Sequence, residues 1–443
     1  MSERGVAMLL VLVGIAVLAL VANEVRYNSV IELRLATNQR DDLRAHYLAK
    51  SGISLSRLML RFQKQVDAIQ IPNIMGMLGP LLGALGGGGA GAGANGANPL
   101  AALGGAGGGG TATIQLWKMA RIDCHMLEQM VPEIDEKGGV VKQNLGPSKG
   151  KKLDFDDEMP ELGQAQAQKK FGSFTGCFDT VISDEEERIN LAKLDAPGAT
   201  ASVLLMQLVA TLGDKKYEFL FEKEDANRVK QTPTEVITAL RDWIDEDESG
   251  STLNFSGTGD PFLKGFSDEN SGYSRYSPAY RAKNARFDSL DELFMIHGIN
   301  DRFMAAFKDK LTVYPDVNAR LNINTDDPVL LEVAIRSVAD PLRPDPRLAD
   351  PIFMDTLIKK IRAARLFALF GMTAADFVNI VAAAGIPVNA AIQNNVQGNR
   401  FISDKSLTYR LRVTGSAGDV TRTITAVIRL DDGLGRLVYW REE

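Results

Sequence analysis

Two cysteines, Cys124 and Cys177, and three histidines, His46, His125 and His297, are the whole supply of such residues in 443 positions. Two cysteines make neither a zinc site nor a disulfide scaffold. The histidines are too scattered for any zinc motif or hydrolytic triad to be assembled from local spacing. A cationic excess is missing as well. Lys and Arg number 50 against 56 Asp and Glu, a formal charge of −6. Phosphate binding needs concentrated Lys and Arg, so nucleic acid is excluded as the main partner. If the soluble part lies in an oxidising compartment, Cys124 and Cys177 can form one bridge; the alternative is two separate buried thiols. What is present is ordinary: 45% hydrophobic residues, enough for a sizeable core and two or three domains.

Charge is also absent from Val6 to Asn23, and Glu24 ends the run. Its length matches the roughly 20 residues a helix needs to cross a bilayer core at about 1.5 Å per residue. A helix is the spanning form expected, since lipid offers no partners for backbone N–H and C=O groups. No small-x-small signal-peptidase site follows. From Glu24 to Phe62 there is no proline and a single glycine, Gly52. Val30, Leu33, Leu43, Tyr47, Ile53, Leu55, Leu58 and Phe62 recur at near-helical spacing, which predicts an amphipathic continuation to about residue 71.

This layout resembles the N-terminus of type IV pilins and pseudopilins; the alternative is a plain single-pass anchor. The resemblance implies a leader of residues 1–5, with Arg4 before the cut, cleavage by prepilin peptidase after Gly5, and methylation of Val6 as the new N-terminus. Most family members carry Glu at the fifth mature position. Here Leu10 stands there, and among pseudopilins that lack is typical of the large minor pseudopilin, protein K of type II secretion.

Taken in order, the rest of the chain reads as follows. Residues 72–111 are an uncharged, Gly/Ala-rich stretch that cannot bury enough side chain to offset its ordering entropy, hence a flexible insert. Thr113–Trp117 and Phe174–Ile182 read as strands, with a polar surface loop over Lys149–Lys170 between them. Residues 112–191 form the first part of the sheet domain. Residues 192–316 read as helical: Ala199–Leu212, a helix opened by Pro233, a long polar loop from Asp245 to Asn284, a helix over Ser289–His297 with a Ser289/Glu292 capping box, and another after Asn300. In residues 317–443, Ala319–Thr325 alternates as a strand, and Asp327-Pro328 starts a helix to about Val338. Helices 352–370 and 373–384 follow. Ser406–Val413, Thr421–Leu430 and Leu437–Trp440 read as an antiparallel meander that can pack on the distant N-terminal helix.

The densest chemistry lies between Arg241 and Asn270, with eight acidic residues against two basic ones. Hard oxygen donors in a Gly/Ser/Asn loop suit Ca²⁺, which takes six to eight oxygens in flexible geometry. Asp245-x-Asp247-x-Ser249 has the odd-position spacing of calcium loops. It is not an EF-hand, because Gly250 fills the sixth position but Ser256 stands where Glu is needed at the twelfth. By spacing alone the alternative is a solvated acidic loop.

Several motifs in order then resemble the protein K family: Asp242-Trp243-Ile244-Asp245-x-Asp247, Asp268-Glu269-Asn270, Pro278-Ala279-Tyr280-Arg281-Ala282-x-Asn284, Ser289-x-x-Glu292-Leu293 and Leu321-Asn322-Ile323-Asn324-Thr325. The resemblance implies an α+β architecture: a type IV pilin-like fold, its long membrane helix packed on an antiparallel sheet, with a large helical inserted domain of SAM-like or helix-hairpin-helix-like form. It implies calcium held by Asp245, Asp247, Asp268, Glu269 and Asn270, with Asp242 and Trp243 structural. It also implies a non-enzymatic tip subunit of the type II pseudopilus. Its partners are minor pseudopilins I and J, other pseudopilins through the helix, prepilin peptidase and the Gram-negative inner membrane. The N-terminus would be cytoplasmic and the body periplasmic, extractable into the pseudopilus. Alternatives are a tip protein of a related type IV pilus and an anchored calcium-binding periplasmic protein of other function. Two further readings are weaker. Leu290–Phe307 resembles a helix-hairpin-helix, but Asn300 replaces its second glycine and Asp301 follows, which favours plain helix packing over DNA binding. A hydrolase using Asp245 and Asp247 has no second motif behind it.

Overall fold

The fold is that of a computed structural model, which describes residues 3–68, 113–119, 123–124, 170–171, 174–222, 230–255, 259–365, 370–431 and 435–443. The Gly/Ala-rich insert 72–111, most of the 149–170 loop, and His125 lie outside the described residues. One helix, α1 (Glu3–Ala68), runs through both N-terminal segments without a break. It is long and apolar enough to cross a membrane. From Val11 to Ala36 its surface is uncovered, and burial begins at Asp41.

The face that packs keeps Ile53 and Leu55 of the expected stripe but not its other large residues in this part of the helix. Leu43, Tyr47, Leu58 and Phe62 stay exposed, while Ala45, Leu48, Ala49, Ile53 and Leu60 are buried. The reason is close approach. A Cβ on Gly52 would stand 2.5 Å from Val413 Cγ1 and 2.8 Å from Phe178 Cδ2. A Cβ on Gly415 would run into the backbone of α1 at Ala45 and Ala49. Small residues are needed where helix and sheet backbones nearly touch.

Strand β1 (Cys177–Asp184) leads into the helical body, which contains α2 (Ala199–Leu212), α3 (Pro233–Asp242), a hairpin of β2 (Ser249–Leu253) and β3 (Phe262–Asp268), α4 (Asp301–Phe307), α5 (Pro328–Val338), α6 (Pro351–Ala363) and α7 (Ala374–Ala383). The chain then returns as the meander β4 (Thr408–Ala417), β5 (Val420–Arg429) and β6 (Arg436–Glu442). The four-stranded antiparallel sheet has the order β6-β5-β4-β1. Leu411 lies opposite Ala426 and Ile182, and Val413 opposite Ile424 and Thr180. Tyr409, Leu411 and Val413 alternate onto the face covered by α1, with Phe178, Ile424 and Ile428. The other face meets the helical body through Val427 and a Tyr314–Tyr439 ring contact at 5.2 Å. Helix, sheet and body are thus stacked in that order, a mixed architecture with the long helix packed on an antiparallel sheet. Cys124 and Cys177 are joined in a disulfide at the start of β1.

Four local expectations change. Thr113–Trp117 is a strand only at Thr113–Ile114; Leu116–Met119 is a helical turn, because Trp117 turns inward to pack edge-on against Tyr409. The polar loop after Asp245 contains the β2–β3 hairpin, whose strands pair through backbone groups with little apolar alternation to announce them. Ser289–His297 is a 3₁₀ segment over Leu290–Met295, though its capping box is present. The helix expected over 352–370 ends at Ala363, and Phe370–Gly371 instead pairs with Thr113–Ile114. The cap at Asp327 and the proline at 328 start α5 as expected.

Candidate metal centre

The centre forms where α3 ends. Thr232 and Glu235 make a capping box at its start, with Pro233 at the first position, so its last turn is firmly placed. That turn delivers Arg241 and Asp242, and the following turn delivers Asp245. The start of the 3₁₀ segment after β3 brings in Glu269 from the far side. One carboxylate oxygen from each of Asp242, Asp245 and Glu269 lies within 4.8 Å of the others. Oxygens that share one calcium ion at 2.3–2.6 Å are at most about 5 Å apart, so the spacing fits.

The hydrogen bonding is one-sided. Asp242 Oδ1 accepts from the Ser251 backbone N–H at 2.8 Å. Asp245 Oδ2 lies 3.4 Å from Ser251 Oγ and 3.4 Å from Arg241 Nε. Asp245 Oδ1, both oxygens of Glu269 and Asn284 Oδ1 are buried without a hydrogen-bond partner among the described residues. Leaving such acceptors unmatched costs roughly 1–3 kcal/mol each, and more when charged. Burial, with Asp242 and Asp247 adding to it against Arg241, pushes the Asp245 carboxyl up to about 6. Burial pushes Glu269 up to about 7, with Asp245 and Asp242 adding to it against the nearby Asn284 amide. Burial also raises Asp242. Asn284 is held in the left-handed region at φ 48°, and its Nδ2 donates to the Asp247 carbonyl at 3.0 Å. A divalent cation bound by hard oxygens would satisfy all four orphaned acceptors and restore full ionisation.

Of the five expected ligands, Asp245 and Glu269 are in the cluster. The other three point elsewhere. Asp247 caps the Ser249 N–H at 2.8 Å and pairs with Lys264 at 3.3 Å. Asp268 caps Asn270 at 2.9 Å, and Asn270 Oδ1 accepts from Ala282 N–H at 3.0 Å, pinning the segment that carries Asn284. Asp242, expected to be structural, contributes an oxygen, and Asn284 is not among the expected ligands. The signal for Asp242 is its position three residues before Asp245, one helical turn away. Behind the centre, Trp243, Tyr273 and Tyr280 stack in a row at 5.7 and 5.3 Å between rings. Gly5 and Val6 fall within the backbone of α1.

Comparison with known proteins bears on the same region. Residues 187–316 match the family model described as type II secretion system (T2SS), protein K. No curated protein matches the chain. Among solved structures the chain is similar to one described as the GspK-GspI-GspJ complex from the enterotoxigenic Escherichia coli type 2 secretion system. The identity is 17%, covering 60% of this chain and 80% of that one, with a TM-score of 0.41.

Proposed function

We propose that this chain, whose residues 187–316 match the family model of type II secretion system protein K, acts as a minor pseudopilin at the pseudopilus tip. There it initiates assembly or limits fibre length while folded proteins are secreted across the outer membrane. One observation carries this reading: α1 is a single helix whose first part is apolar and bare, while its second part is packed on the sheet. Bare Val, Leu and Ile need lipid or neighbouring helices around them. A membrane-anchored subunit that can slide its helix into a bundle of similar helices meets that need in both states.

Leu10 favours the tip over the shaft. A subunit without an acid at that position lacks a partner for a neighbour's N-terminal amine inside an apolar bundle, where a lone charge is costly. It gains less from joining below another subunit. The partners proposed are minor pseudopilins I and J, other pseudopilins along α1, and prepilin peptidase. The N-terminus is placed in the cytoplasm and the body in the periplasm, a location that the Cys124–Cys177 disulfide supports. No catalytic role is assigned.

Calcium is proposed for the centre, held by Asp242, Asp245 and Glu269 with Asn284 beside them. Its task is to neutralise the buried carboxylates. These residues tie the end of α3, the end of the hairpin and the 284 segment into one unit. The test of the whole reading is the N-terminal mass of the chain recovered from its own membrane. The expected product starts at N-methylated Val6; a chain beginning at Met1 or Ser2 would sink the pseudopilin reading.

A further inference from the structure

We infer that the helical body holds a second site, a cationic groove at the start of α2 that takes a carboxylate presented by a peptide segment of a partner protein. It does not depend on the metal centre or on the secretion role.

The groove is about 820 Å³ and is lined by Gly198, Thr200, Asn318, Arg320, Asn399 and Arg400 among others. Two inner pockets open beside it. One is bounded by Thr200, Arg400 and Lys193, the other by Arg320, Arg188, Glu186 and Lys193. Each measures about 10 Å³, room for a single oxygen-sized atom.

Three features give this place its sign. The N-cap of α2 is Gly198, no side chain caps the helix, and there is no acid in its first turn. Thr200 N–H donates to the Pro197 carbonyl at 3.3 Å; the remaining first-turn N–H groups and the partial positive charge are left for something else to meet. Lys193 is only 8% exposed and lines both inner pockets; its carbonyl accepts from Ala196 N–H at 3.0 Å, while its ammonium makes no hydrogen bond or ion pair among the described residues. A buried ammonium without a partner calls for an anion. Arg320 is fixed at the mouth by Nη1 donating to the carbonyls of Gln397 at 2.8 Å and Asn399 at 3.4 Å, which leaves Nε and Nη2 available among the described residues. Arg400 beside it is exposed.

Of the neighbouring charges, Glu186 answers Lys193 only in part, without a hydrogen bond or close ion pair to it among the described residues. Glu186 accepts from Leu407 N–H and Thr408 Oγ1, both at 3.0 Å, and burial holds its carboxyl up at about 8. Arg188 is itself a cation, engaged with Glu185 at 3.5 Å. Burial pulls Lys193 down to about 8, with Glu186 opposing. An anion delivered to the inner pocket would raise it again. The shape selects the source. An inner pocket admits one oxygen, whereas the groove outside is far larger than a phosphate ion and fits several residues of chain. A carboxylate on a peptide matches both, and Arg400 and Arg320 complement further acids on that peptide.

The test is calorimetry on the full chain in lipid nanodiscs at about pH 8.5, in two buffers of different ionisation enthalpy. The probes are the acetylated Ala-Ala-Asp tripeptide amide, its Ala-Ala-Asn counterpart and inorganic phosphate. The expected result is binding of the Asp peptide in the millimolar range or tighter with proton uptake, as Lys193 recovers its proton. Lys193→Met should abolish the uptake and weaken binding at least about tenfold. The exposed Arg400→Gln should weaken it several-fold without touching the fold. The proposal is overturned if the Asp peptide does not bind, if the Asn peptide binds equally, if phosphate binds as tightly, or if Lys193→Met binds as the parent does.

Discussion

Two groups of buried acids sit on either side of the helical body, and they are treated differently. At the junction with the sheet, Asp184 accepts from Glu186 N–H at 2.8 Å and Asn322 Nδ2 at 2.9 Å. Glu185 meets Arg410 at 2.6 Å and Arg188 at 3.5 Å, Glu186 accepts from two donors, and Glu187 meets Lys118 at 3.2 Å. Each carboxylate there has a hydrogen-bond or ion-pair partner from the protein itself; Glu185 has no hydrogen-bond donor among the described residues but lies between two arginines. At the end of α3, Asp245 and Glu269 leave three oxygens with none among the described residues. The first group is closed chemistry that joins two parts of the fold. The second leaves acceptors open, and the proposed calcium would complete it. A cluster of acids in sequence does not tell these apart; the donors that surround it do.

The comparison breaks most readily at the metal. Withdrawing calcium with a chelator near pH 7.5 should lower the stability of the helical body by about 4 kcal/mol relative to calcium at a thousand times its Kd. Hydrogen exchange should quicken over residues 242–284 and stay slow over β4 and β5. Equal loss in both regions, or none, would remove the distinction. Gly52→Val is the converse probe. Its side chain meets Val413 and Phe178, so thermal unfolding should show a loss of about 1–3 kcal/mol while calcium affinity is unchanged.

Asp245→Asn sharpens the contrast within the centre. It should weaken calcium binding at least about tenfold, or about 1.4 kcal/mol, yet stabilise the calcium-free protein by removing a buried, mutually repelling carboxylate that only Arg241 answers. Isothermal titration and calcium-free melting check the two halves, and destabilisation in both states would refute the reading. Without calcium both groups respond to pH, since Asp245 at about 6 and Glu269 at about 7 titrate in the same range as the junction acids. Burial holds Glu186 at about 8 and Glu187 at about 7 in the fold, above their ordinary range. Raised carboxyl pKa values favour the protonated fold, so their stabilising contribution is full below about pH 4.5 and is lost as pH climbs through 7 and 8. Lys193, held down at about 8, works the other way above that pH. Melting of the calcium-free chain should therefore decline between about pH 5 and 8, and flat behaviour would show the junction acids ionised throughout.

Much of the fold is legible in the order of the residues. An uncharged run of membrane length, followed by forty residues without proline, can be little other than a continuous helix. Asp327-Pro328 announces α5 because a cap and a fixed φ act locally. The β4–β6 meander announces itself by alternation, since only one face is covered by α1. The hairpin β2–β3 does not, because its residues are polar and its pairing rests on backbone groups. On α1 the large residues make the conspicuous stripe, yet the packed face mixes Ala45, Ala49 and Gly52 with Leu48, Ile53 and Leu60.

Local propensity and binary pattern, then, are written in the chain: which stretches are helical, which strands alternate, where acids crowd together. Tertiary structure alone decided that Asp242 and Asn284 join Asp245 and Glu269 while Asp247, Asp268 and Asn270 turn to backbone amides. It also decided that the Lys193 ammonium ends without a hydrogen bond or close ion pair, among the described residues, near a helix start with no side-chain cap. The reason is physical. Spacing along the chain determines which side chains share a local turn, whereas the convergence of oxygens from residues 242, 245, 269 and 284 depends on packing between segments whose approach is set by the core behind them.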